Sequence, residues 1–135
     1  MPTIGKIAGM DHLSAARLRR AGIKTSRAFL EEARGEKRLV SLSEATGIDQ
    51  NTLRDLAASA DLMRLEGMGG AYCGLLRAAG IHSVSELGRL SSEEVTGALL
   101  AVNHNRRIVR RLPSPREVEM WVSQASDPGF ANREQ

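Results

Sequence analysis

The sequence predicts an all-α fold. Apolar residues recur at three- and four-residue intervals, most plainly at Leu53, Leu56, Ala57, Ala60 and Met63, which is the spacing of one buried helical stripe. Helix ends are punctuated: three segments close on Gly-Ile, at Gly22-Ile23, Gly47-Ile48 and Gly80-Ile81, each followed within two positions by Thr25, Asp49 or Ser83. Glycine takes the left-handed position just past a helix, and the isoleucine beside it packs back on the helix it ends. Alternating strand-like patterns are nearly absent.

In chain order, a first helix over about 12–21 follows Asp11, whose carboxylate suits an N-cap, and stops at Gly22. A second, about 26–33, opens after Thr25, and a third, about 36–46, ends at Gly47. Asp49 opens a fourth over about 50–63. Glycines open the fifth, about 70–79, and Gly80 closes it; Ser83 opens the sixth, about 84–90. Ser91 opens a seventh over about 92–111, with a break near 103–105 as the alternative, and Ser114 with Pro115 at the first helical position opens the eighth, about 115–125. Ser-x-x-Glu capping boxes are read at Ser41/Glu44, Ser83/Glu86, Ser91/Glu94 and Ser114/Glu117.

At 135 residues the chain fits one domain or two packed halves, each small enough to be marginal alone. Sliding the sequence by 58 positions sets Gly9 on Gly67, Met10 on Met68, Leu18-Arg19 on Leu76-Arg77 and Ala21-Gly22-Ile23 on Ala79-Gly80-Ile81. The expected organisation is therefore a duplicated module, 1–62 and 63–127, the two packed together as one helical domain. Asp127-Pro128-Gly129 breaks structure, so 128–135 reads as a flexible tail.

One Trp, one Tyr and two Phe make broad base stacking an unlikely activity and aliphatic helix packing the expected core. Net charge is +3, but the bases are bunched: Arg17, Arg19, Arg20, Lys24 and Arg27 lie in an acid-free stretch from His12 to Leu30, and Arg106, Arg107, Arg110, Arg111 and Arg116 in another from Val95 to Arg116. Such runs are either solvated helix faces or polyanion contacts. Cys73 has no disulfide partner and sits among small, apolar neighbours, as a buried inert thiol does. With no leader-like start and no apolar run of the roughly 20 residues that span a bilayer, a soluble cytoplasmic protein is expected, without membrane contact.

The most informative segment is Leu65-Glu66-Gly67-Met68-Gly69-Gly70. Glycines let backbone approach a ligand closely, and a helix start carries unpaired N–H donors and partial positive charge, so a glycine turn opening a helix can hold a phosphate. The same turn also serves simply to join two packed helices. Its upstream copy, Ile7-Ala8-Gly9-Met10-Asp11, has an aspartate where the second glycine would stand, which suits capping better than phosphate. Glu66 is the discordant acid in the intact turn, since a carboxylate beside a phosphate repels it unless it points away.

Together, the helix over 50–63, this loop and the helix over 70–79 resemble a helix-hairpin-helix motif, with Leu65 and Met68 as apolar staples. The resemblance implies a phosphate held by Gly67, Gly69 and Gly70, the Met68 turn between them, with Arg64 and Arg77 in support. Over nearly its whole length, from the first Ile-x-Gly turn through Arg110 to Ser114 and the Trp121 helix, the chain is similar to an uncharacterised bacterial family of tandem helix-hairpin-helix-like domains.

If helical, Arg106-Arg107-Ile108-Val109-Arg110-Arg111 sets Arg106/Arg110 and Arg107/Arg111 on adjoining ridges, a cationic stripe suited to a phosphate backbone and equally to an acidic protein. His12, His82 and His104 are dispersed, and no metal-ligand spacing, nucleophile turn or cofactor motif is present, so a non-enzyme without cofactor is expected. The leading expectation is a protein that binds DNA or structured RNA through the backbone with little sequence preference. The alternative is a helical adaptor or scaffold that docks an acidic protein or itself.

Overall fold

Helices form in this chain where a cap meets the first free amides and an apolar stripe finds cover. The computed structural model describes residues 3–130. A 3-10 turn at Ile4–Lys6 precedes eight helices: α1 (His12–Arg20), α2 (Ser26–Glu32), α3 (Gly35–Thr46), α4 (Gln50–Leu62), α5 (Gly70–Ala78), α6 (Val84–Gly88), α7 (Ser92–Arg106) and α8 (Pro115–Ser126). Among the described residues extended pairing is limited to one bridge between Thr3 and Thr25. The fold is all-α.

The chain divides into two compact units, Met1–Asp61 and Leu62–Gln135. In the first, Ile4, Ile7, Leu18, Phe29, Leu39, Leu42, Leu53 and Leu56 form one buried cluster. Arg17 donates to the Gly47 carbonyl at the end of α3, and Arg54 of α4 pairs with Glu36 at its start. In the second, Leu75, Leu76, Leu87, Val95 and Trp121 are fully buried, and α8 packs on α6 and α7. The α6–α8 approach is close enough that a Cβ on Gly88 would stand 2.7 Å from the Ala125 carbonyl oxygen.

The same local hydrogen bonds recur 58 residues apart. Met10 N donates to Ile7 O and Met68 N to Leu65 O; Ile23 N donates to Leu18 O and Ile81 N to Leu76 O. Gly22 and Gly80 take φ of 89° and 88°, the left-handed conformation that their Gly-Ile signals predict.

Three expectations need correction. Ser41 and Glu44 lie inside α3, which begins at Gly35, so they do not form a capping box there. The other three serines do cap, Ser91 and Ser114 in reciprocal boxes, whereas Glu86 reaches back to the His82 amide. Helix α7 stops at Arg106, and Arg107 is left-handed at φ 48°, ψ 53°. Of the expected tail, 128–130 are described, and Phe130 is not free: it is 6% exposed and bonded to Arg64. The remainder of that tail, 131–135, lies outside the described residues.

Candidate functional site

The glycine turn between α4 and α5 is fastened from below. Met68 is buried and donates its amide to Leu65 O, while the buried Trp121 of α8 donates Nε1 to Glu66 O at 2.9 Å and Gln124 Oε1 accepts from the Glu66 amide at 3.1 Å. Gly67 makes the bend at φ 80°. Met68 thus anchors the turn and has no donor to offer a ligand.

Beyond it the donors are free. Gly69 is the N-cap of α5, and it provides no side-chain cap. The amides of Gly69, Gly70, Ala71 and Tyr72 precede the first α5 bond, Cys73 N to Gly69 O, and among the described residues no protein group accepts from them. Gly69 and Ala71 are exposed.

The corresponding turn in the first unit is filled. Asp11 caps α1 with nearly the same backbone, φ −89° and ψ 167° against −89° and 178° at Gly69, and its carboxylate accepts from Ser14 N at 2.6 Å. That amide bond, helped by the Ser14 hydroxyl and by nearby His12 and Arg17, holds the Asp11 carboxyl below the usual aspartate range. An anionic oxygen already sits at this helix start, as the sequence predicts. Gly69 needs no glycine on its own account: its φ is ordinary, and an added Cβ would meet nothing within 4 Å.

Past Arg106, which ends α7, the arginine segment is a loop and not a helical stripe. Asn103 holds it by a two-way bridge to Val109, with Nδ2 donating to the carbonyl at 3.0 Å and Oδ1 accepting from the amide at 2.9 Å. Tyr72, in the first turn of α5, donates its hydroxyl to Arg111 O at 3.2 Å and packs edge-on against Trp121. The loop carrying Arg110 and Arg111 is therefore tied to the helix start that bears the free amides. Arg106, Arg107, Arg110 and Arg111 are exposed, and no acceptor engages their guanidinium groups among the described residues.

Two other expected residues lie elsewhere. The Arg64 guanidinium stacks 4.2 Å from the Phe130 ring centroid and donates to the Phe130 carbonyl, so it is committed within the chain. Arg77 lies in the last turn of α5, and at 1.5 Å per residue the seven steps from Gly70 put it about 10 Å down the axis, at the wrong end. Sequence reasoning missed Tyr72 and Asn103, the two side chains that position the arginine loop. Only the unpaired break signal at 103–105 pointed to either.

Among the described residues no three His, Cys, Asp or Glu side chains gather as a metal would need, and no helix is long and apolar enough to cross a membrane. Fold and site together define an all-α protein with an uncapped helix start beside an arginine loop. The chain belongs to the family described as Domain of unknown function (DUF4332), whose model matches residues 8–127. No curated protein and no solved structure matches it.

Proposed function

We propose that this protein is a non-catalytic binder of nucleic-acid backbone, probed most simply with DNA, and that its second glycine turn is a working helix-hairpin-helix while the first is a copy closed by its own aspartate. One observation carries the reading: Gly69 stands where neither conformation nor space requires glycine, and it leaves bare the Tyr72 amide, whose equivalent at Ser14 is covered by Asp11. One phosphate sits on the Gly69–Tyr72 amides. Its neighbours along the strand meet Arg106, Arg107, Arg110 and Arg111, contacts that position a backbone without reading bases.

Four exposed guanidinium groups neutralise about four phosphates, which gives a slope of log affinity against log salt near −3.6 on duplex DNA. The test is a fluorescence-anisotropy titration of labelled duplexes of unrelated sequence at several salt concentrations, with Trp121 emission as a second signal from under the turn. The reading expects saturable, sequence-independent binding with that slope, reduced to about −1.8 in the Arg110→Ala/Arg111→Ala variant. Absent binding at low salt, or salt-insensitive binding, overturns it in favour of a protein-docking role.

A further inference from the structure

Among the described residues of the second unit, the outer face of α7 has no partner. Glu93, Gly97, Leu100 and His104 are exposed along it, Leu100 by 56%, while Val95 and Leu99 on the other side are buried. We propose that this face pairs antiparallel with the same face of a second copy of the chain.

Gly97 gives the first reason. Glycine in a helix interior is destabilising, and a Cβ at Gly97 would meet nothing within 4 Å, so nothing inside the fold calls for it. The exposed positions 93, 97, 100 and 104 follow the alternating four- and three-residue steps of a two-helix seam. In an antiparallel pairing centred between Gly97 and Leu100, each Leu100 enters the hollow over the other copy's Gly97.

Charge selects the occupant and its direction. The first turn of α7 carries Glu93 and Glu94, and the last carries His104 and Arg106. Antiparallel pairing sets each acidic end against the other copy's basic end and opposes the helix dipoles; parallel pairing would face like with like. One 15-residue helix per copy makes a small interface. The dimer is therefore weak, with a dissociation constant on the order of 100 µM.

Sedimentation equilibrium of the full chain, free of nucleic acid, tests this between about 10 µM and about 1 mM, a range that brackets the expected constant. The proposal expects a reversible monomer–dimer equilibrium that weakens at least about tenfold in Leu100→Glu and in Gly97→Leu, with helical circular dichroism retained. Glu93→Lys and His104→Glu each weaken it, and the two combined restore it. A monomer throughout, a dimer indifferent to both seam variants, or a double charge swap that fails to restore pairing overturns the proposal. Because no nucleic acid is present, these outcomes are separate from those of the phosphate reading.

Discussion

Replacing Gly69 by aspartate should make the protein more stable and worse at binding, a pairing of effects that a merely structural turn would not give. The substitution copies Asp11, whose carboxylate caps α1 from the same backbone conformation. Space is available, since a Cβ at Gly69 meets nothing within 4 Å. Exchanging a glycine cap for aspartate contributes a few tenths of a kcal/mol, and a negative charge at a helix start about 0.3–1 kcal/mol more. The expected gain is about 1 kcal/mol, which raises Tm by about 4–8 °C for a unit of this size. Against a phosphate the same carboxylate acts twice. It takes up a donor, and at about 4 Å it repels by roughly 1–4 kcal/mol over the range from water to a protein surface, so affinity for DNA falls at least about fivefold. Denaturant titration followed by Trp121 emission gives the first number and anisotropy the second. A Gly69→Asp variant that binds as well as the parent refutes the phosphate site; one that is destabilised shows the α5 amides already satisfied.

Three further outcomes are expected. Arg107→Gly relieves a left-handed arginine at φ 48° and stabilises the second unit by roughly 0.5–1 kcal/mol while shortening the salt slope by about 0.9, read from melts and titrations together. Gly88→Ala drives a methyl group into the Ala125 carbonyl at 2.7 Å and costs about 2–3 kcal/mol in denaturant unfolding, so an unaffected midpoint would contradict the α6–α8 packing. The Asp11 carboxyl is held below its ordinary range by the Ser14 amide, so its stabilising effect is complete above the usual aspartate range and is lost as pH falls through the lowered folded value; amide exchange in α1 measured down that acid limb should flatten in Asp11→Asn.

Much of the fold was legible in the sequence because its signals are local. Gly-Ile endings, serine caps and Asp11 each act within a few residues, and the helices begin and end close to where those signals stand. Ser41/Glu44 fails for a different reason: the box pattern is genuine, but α3 had already started at Gly35, which leaves no free amides for Ser41 to meet.

The site was less legible because distant residues assemble it. Nothing near Arg64 announces that Phe130 will take its guanidinium, 66 residues away in sequence. The arginine run carries no glycine or proline to stop a helix; Asn103 stops it by bonding to Val109, and a left-handed arginine makes the turn. Tyr72 then ties that loop to the turn across 39 residues. The glycine turn and the four outer arginines do stand out in the sequence, as a glycine cluster before a helix and as an acid-free basic run. The leading reading of that run puts all four on a helix, whereas the structure keeps Arg106 at the end of α7 and carries Arg107, Arg110 and Arg111 on a tethered loop.

The central claim is that the amides opening α5 are free to take a phosphate. Amide proton and nitrogen NMR shifts recorded while a short DNA duplex is titrated in at low salt test it most directly. The account predicts progressive shifts at Gly69, Gly70 and Ala71, with the arginine loop following and the Asp11-capped start of α1 unmoved. Shifts confined to other surfaces, or none at these three residues once the duplex is bound, would contradict it.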